Sequence, residues 1–332
     1  MTDSSIAQTS LIRVIRGHRA EVTSIAFDSA GAVLASGSVD GTIGLFDPRT
    51  GDRRYTLEGH GGGVHAVAFS ADGGVLASGG SDGTVRLWDP HSGRALRAFW
   101  PNETNKGWVY AVAFCSDGGV LASGGSDGTV RLWDPHSGRA LHVFEGHKGW
   151  VRAVAFSPDG NVLASGSDDG TVRLFDPRSG QALRSLNPPT HGFAGKLSGF
   201  FRRGPAGKRD NGSVRALAFS PIDGVLVSGS DDAMVRLWDP RTGSHMRALE
   251  GHEDSVRTVA FDQDGGLLAS GSVDLTIRLW DPRSGRLVDV IEGCRACDDG
   301  HVGAVNAVAF SSDRSTLGSG SLDNTVRLWA VR

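Results

Sequence analysis

The chain of 332 residues balances 34 lysines and arginines against 37 aspartates and glutamates, a net charge of −3 spread along its length. Nothing in that balance draws it toward nucleic acid or an anionic membrane, and no apolar run approaches the roughly 18 residues of a spanning helix. Three cysteines are too few for a disulfide framework, so a reducing compartment, the cytoplasm, is expected.

Taken in order, residues 1–10 read as a polar leader without the apolar core of a signal peptide. Residues 11–16 then read as a lone strand ahead of Gly17-His18. From there one cassette repeats seven times, phased on Asp40, Asp82, Asp127, Asp169, Asp232, Asp274 and Asp323, at spacings of 42, 45, 42, 63, 42 and 49. The phrase L-A-S-G-G-S-D-G-T-V-R-L-W-D stands at both 76–89 and 121–134. A period near 42 with four short apolar segments per copy is the pattern of a β-propeller blade, a unit that cannot bury its faces alone.

In the copy at 57–99 the predicted strands are 64–69, 75–79, 84–88 and 95–99. Each is rich in Val, Leu, Ala or Phe, as strands covered on both faces by neighbouring blades must be. Asp-Gly pairs at Asp82, Asp127 and Asp169 suit two-residue hairpins that need positive φ, and the 48 glycines suit such turns generally. Six D-P-x-[ST]-G stretches, at Asp47, Asp89, Asp134, Asp176, Asp239 and Asp281, read as further turns. The last copy stops after its third strand, at 325–331, so the lone strand at 11–16 is expected to complete it and remove two open edges. The predicted fold is all-β, a seven-bladed propeller of four-stranded antiparallel blades over residues 11–332, closed by its own termini.

These residues resemble the WD-repeat family. Third strands end in Trp88-Asp89, Trp133-Asp134, Trp238-Asp239 and Trp280-Asp281, with Phe46-Asp47, Phe175-Asp176 and Trp329-Ala330 as variants. Gly-His pairs stand at Gly17, Gly59, Gly146, Gly251 and Gly300, while Thr104-Asn105 and Arg209-Asp210 replace them in copies three and five. The resemblance implies a buried hydrogen-bonded tetrad within each blade. The complete sets are His60, Ser78, Asp82 and Trp88; His252, Ser270, Asp274 and Trp280; and His301, Ser319, Asp323 and Trp329. Copies one, three, four and five lack a member, so weaker tetrads are expected there. Ser, His and Asp are also the parts of a hydrolytic triad, but repetition around a ring beside tryptophan suits a scaffold and marks no copy as active.

Function is sought on one face. All length variation falls in the loops from outer to inner strand: three extra residues near 100–105, twenty-one within 187–213 and seven near 293–299. Insertions gathered on one face of a repeat ring mark a binding face. The resemblance assigns three positions per blade to the channel entrance there: those flanking the first valine of the inner strand, and the one before the phasing aspartate. They hold Trp108, Tyr110, Trp150, Arg152, Asp168, Arg215, Asp231 and Arg257, against a milder sector of Glu21, Val39, His65, Val273, Asn306 and Leu322. Tryptophan, tyrosine and arginine dominate interface hot spots, so a protein or peptide partner is expected, with no enzyme activity, no cofactor and no membrane contact. The plainer reading is that the two tryptophans only fill the channel mouth.

The insertion interleaves Phe193, Phe200 and Phe201 with Lys196, Arg202, Arg203, Lys208 and Arg209. It suits an acidic partner, phosphates or a plain mobile loop. Cys294 and Cys297 supply half a tetrahedral zinc site at most, and no metal is expected. Residues 226–241 and 268–283 resemble the box by which some eukaryotic WD-repeat proteins dock on a cullin-type ubiquitin-ligase adaptor, although any W-D-P-R-x-G turn spells the same letters. Arg49, His91, His136, Arg178, Arg241 and Arg283 would make a basic rim there. A small-molecule sensor or enzyme at the channel mouth is the rival reading, which a deep pocket with a perturbed acid would favour.

Overall fold

The computed structural model describes residues 9–100, 107–188, 212–293 and 299–331. Their chain forms 28 strands, β1 (Thr9–Arg16) through β28 (Thr325–Val331), and no helix. The strands make seven four-stranded antiparallel sheets. Blade 2 shows the pattern: β6 (Val64–Phe69) is innermost, followed by β7 (Leu76–Gly80), β8 (Val85–Trp88) and the outer β9 (Ala95–Phe99). The second and third strands begin one residue later than the sequence suggested, because the Val75 carbonyl accepts from the Ser70 amide and the Thr84 carbonyl from the Gly80 amide, each closing the turn before its strand. Each inner strand touches the next blade's inner strand, and the seventh returns to the first, so the ring is closed.

The core lies between blades rather than within one. Val33, Ala35, Ile43, Leu45 and Leu57 of blade 1 pack against Val64, Val67, Leu76 and Trp88 of blade 2, and equivalent layers recur around the ring. The near-verbatim repetition follows from this geometry: each strand face meets the same neighbour surface in every blade.

Closure is as expected. β1 pairs with β28 from Thr9 opposite Val331 to Arg16 opposite Thr325, with one irregularity between Leu11 and Arg13. The strand starts two residues before the expected boundary, because Asp289 of blade 6 accepts hydrogen bonds from both the amide and the hydroxyl of Thr9, at 3.0 and 2.7 Å. The leader therefore does not extend to residue 10.

The hairpin beside each phasing aspartate corrects the two-residue reading. In blade 1 the Gly41 amide donates to the Ser38 carbonyl and the Ser38 amide to the Thr42 carbonyl, which makes a three-residue loop. Only its last residue has positive φ, the arrangement of a turn followed by a bulge. That φ recurs at Gly41, Gly83, Gly128 and Gly170, but also at Ala233, Leu275 and Asn324. A side chain at such a φ costs roughly 1 kcal/mol, and the sheet on both sides holds the three non-glycine cases in place.

Candidate functional site

The polar residues of each blade fall into two groups, one inside and one open to solvent. Inside blade 2 the Trp88 indole donates to Ser78 Oγ at 2.8 Å, and Ser78 Oγ lies 2.7 Å from His60 Nε2. Having accepted the indole proton, the hydroxyl donates to Nε2, which leaves the Nδ1 proton for Asp82, 3.0 Å away. Blades 6 and 7 repeat this through His252, Ser270, Asp274 and Trp280, and through His301, Ser319, Asp323 and Trp329. The three serines are fully buried, so no substrate reaches the hydroxyl that a hydrolase would use.

The incomplete sets divide in two. Blades 1 and 4 keep His18 and His147 on their serine and aspartate, but carry Phe46 and Phe175 in place of the indole donor. Blades 3 and 5 keep the indole bonds of Trp133 and Trp238, and their aspartates are held by Arg131 and Arg236 instead, at 2.8 and 2.6 Å. Thr104-Asn105 and Arg209-Asp210 lie outside the described residues. The glycine of the Gly-His pair has a reason: Gly17, Gly59, Gly146 and Gly251 have φ between 127° and 154°, which a side chain rarely adopts.

These networks set how stability responds to acid. His18, His65 and His301 lie below the ordinary 6.5, mainly through desolvation; at His65 the Arg152 charge adds to it and the value falls to about 4. The unfolded chain then takes up those protons first, so stability declines as pH drops below 6.5. Burial alone would raise the tetrad aspartates, but hydrogen bonds from histidine, threonine and backbone amides outweigh it, holding Asp40 at about 2 and Asp82, Asp169, Asp274 and Asp323 lower still. Their contribution is complete above about pH 4 and is lost as pH falls toward 2. The expected Tm is level above pH 7, declines gently to pH 4 and collapses below it. His65→Gln should flatten the gentle part, and a level Tm from pH 7 to 4 in the parent protein would contradict the assignment.

The open group sits where the sequence placed it, at the channel end carrying the outer-to-inner loops. In all seven blades the residue before the phasing aspartate donates its amide to the carbonyl preceding the first valine: Val39 to Glu21, Ser81 to Gly63, Ser126 to Trp108, Asp168 to Trp150, Asp231 to Ser213, Val273 to Ser255 and Leu322 to Ala304. The three channel positions of a blade are therefore fixed together by backbone.

Across blades 2 to 4 these positions hold a run of rings. His65 stacks on Trp108 at 5.5 Å, Trp108 meets Tyr110 edge-on at 5.8 Å, and Tyr110 stacks on Trp150 at 5.5 Å. The Arg152 guanidinium lies over Tyr110 and Trp150, 4.1 and 4.5 Å from their centroids. Trp108 and Trp150 keep 46% and 43% of their surface exposed, while Tyr110 is buried between them. The sequence reading left His65 in the milder sector. It occupies the same register as Tyr110 one blade earlier, and that shared register is the signal that would have found it.

Across blades 4 to 6 the run continues as charge. Arg152 donates to Asp168 through Nε and Nη2, both at 3.0 Å, and Arg215 reaches Asp168 at 3.4 Å. Arg215 also donates to Asp231 through Nε at 2.8 Å, and Ser255 Oγ donates to the same carboxylate. Desolvation opposes each charge, yet the pairing holds Asp231 below its ordinary value and Arg215 above. Arg257 completes the run and is exposed.

Phe200, Phe201, Arg202, Arg203, Cys294 and Cys297 lie outside the described residues; among those described, no cluster of His, Cys, Asp or Glu could hold a metal. Cys115 is buried in the turn after its inner strand, and desolvation pushes its thiol up. No described helix is long and apolar enough to cross a membrane. The stretches 226–241 and 268–283 are the second and third strands of blades 5 and 6 with the turn that follows; core packing accounts for the buried Leu226, Ser228, Leu268, Ser270 and tryptophans, and the Asp-Pro-Arg letters belong to the turn. A concavity of about 450 Å³ lined by Asp262, Leu267, Phe310, Arg314 and Val331 lies at the opposite end of the inner strands from the ring cluster.

A closed ring of seven four-stranded blades, with its serine, histidine and aspartate sets buried, defines a seven-bladed β-propeller. The chain belongs to the WD-repeat family: the family profile, WD domain, G-beta repeat, matches residues 9–47, 51–89, 99–134, 138–176, 205–239, 243–281 and 293–330. Four of the matches, 9–47, 51–89, 138–176 and 243–281, run from one blade's outer strand through the third strand of the next, the same offset that lets β1 close the ring, while those at 99–134, 205–239 and 293–330 begin at or after the end of that outer strand. F-box/WD repeat-containing protein 10 of Mus musculus is 50% identical over 42 residues, 13% of this chain and 4% of that protein. Polyadenylation factor subunit 2 of Neurospora crassa is 44% identical over 41 residues, 12% of this chain and 6% of that protein. Nuclear distribution protein PAC1 of Tuber melanosporum is 45% identical over 40 residues, 12% and 9% respectively. The matches span less than a tenth of these relatives' lengths, about one repeat each, and so reflect the cassette alone.

Proposed function

We propose that this propeller is a non-enzymatic interaction scaffold that presents its channel mouth, from Trp108 to Arg257, to a peptide segment or protein subunit of a larger assembly, in the cytoplasm. The observation that carries this reading is the pair of tryptophans, each nearly half exposed yet held in place, Trp108 by stacking on His65 and meeting Tyr110 edge-on, Trp150 by stacking on Tyr110 and by the ion-paired Arg152 over its ring. Large, rigid, half-exposed rings bind with little loss of conformational freedom, and blades 3 and 4 present one each. The family supports it, since WD-repeat propellers are typically protein-interaction scaffolds. The buried serines and the paired carboxylates of the mouth favour a scaffold over a catalytic site.

The test is affinity capture from the native source with the parent protein beside Trp108→Ala/Trp150→Ala, after thermal melts show that both fold alike. A partner held by the parent and reduced at least tenfold by the double variant is expected, two hot-spot residues being worth about 2 kcal/mol or more. Equal recovery by both proteins would move the interaction to another surface.

A further inference from the structure

At the channel-mouth positions of blades 4 to 6 the charges do not balance, Glu21 belonging to blade 1. Three guanidiniums, of Arg152, Arg215 and Arg257, stand there against the two carboxylates of Asp168 and Asp231, and both carboxylates are engaged by the first two. Arg257 has no hydrogen bond or ion pair among the described residues. Asp231 and Asp254 act on it only through space, and Arg152 and Arg215 repel it. A guanidinium on an exposed residue, its five donors without a protein partner among the described residues and two like charges beside it, is a seat for a carboxylate, which would accept from it in a paired geometry.

The ring cluster limits the rest of the ligand. A cation on the aromatic faces would compete with Arg152, which already covers Tyr110 and Trp150. What remains open is flat apolar surface on Trp108 and Trp150, suited to an aromatic or large aliphatic side chain. The Tyr110 hydroxyl is buried here without a well-formed hydrogen bond, the guanidinium lying over its ring face, so a ligand also meets one unused polar group. A nucleic-acid strand would use the same rings, but its run of phosphates would meet the carboxylates of Asp168 and Asp231 beside them.

Resting on the proposed top-face interaction, we propose that the partner is an acidic peptide segment, with an Asp or Glu carboxylate on Arg257 and a neighbouring aromatic or large aliphatic side chain on Trp108 and Trp150. The probe is a phage library of random 12-residue peptides panned on the whole chain, with the best binder synthesised in Glu and Gln forms. Enrichment of Asp or Glu near an apolar residue is expected. The Glu form should bind about tenfold tighter than the Gln form, and Arg257→Met should remove that ratio by weakening the Glu form far more than the Gln form. Enrichment of Lys and Arg, an equal Glu and Gln affinity, an undiminished ratio in Arg257→Met, recovery of no peptide, or tighter binding of a 12-residue oligothymidylate would each overturn it. Peptides lost by Trp108→Ala/Trp150→Ala but indifferent to charge overturn the acidic assignment alone. Peptides that this double variant retains overturn the top-face reading as well.

Discussion

Removal of residues 9–16 should open the ring. β1 covers the outer edge of β28 along its length, and Ile15, buried at 5% exposure, seals the layer between blades 7 and 1 with Val22, Ile25, Val326 and Leu328. Ile15→Ala alone should cost about 3 kcal/mol, which for a domain of this size lowers Tm by roughly 4 °C. Deletion of the whole strand forfeits that contact, the ladder and the Thr9 bonds to Asp289, and it exposes an unpaired edge. The shortened chain should melt more than about 10 °C lower and form soluble aggregates, as read by thermal unfolding with light scattering. A shortened chain that stays monodisperse and melts with the parent would show that the seventh blade needs no fourth strand.

The second large effect belongs to His301→Ala. His301 is 2% exposed and joins Ser319 to Asp323 within a blade that also depends on β1. Removing the ring strands a buried hydroxyl and takes one strong donor from a buried carboxylate, at a cost of about 2–4 kcal/mol. His136→Ala, on an exposed turn, should stay within about 0.5 kcal/mol of the parent. Chemical denaturation midpoints of the two variants decide the matter. Near-equal midpoints would mean that the tetrads are ornamental to stability and would reopen a catalytic reading of the histidines.

Most of the architecture was legible because each blade meets nearly the same neighbour. That repetition gave the blade count, the strand order and closure by the lone N-terminal strand. What it missed was local. Val75 was expected in a strand and instead closes a turn, because its carbonyl accepts from Ser70. The turns at Asp82 and Asp127 spell Asp-Gly, the letters of a two-residue hairpin, but the backbone places a single positive φ after the aspartate, as the same turns at Ala233 and Leu275 show. At the channel mouth the residue types and register were readable, whereas pairing was not. Nothing in the sequence says that Asp168 is shared by Arg152 and Arg215, that Arg257 is left over, or that His65 joins the rings. Those facts depend on which side chains face each other across a channel, a distance that no repeat period encodes.

The central claim is that this protein meets its partner at the channel mouth, and amide hydrogen exchange on the captured complex tests it most directly. Protection confined to residues 107–110, 148–152, 212–215 and 254–257, with the turns at 89–94 and 134–139 unchanged, is the predicted footprint. Protection of those turns with the channel-mouth segments unchanged would contradict the account and place the interaction on the opposite rim.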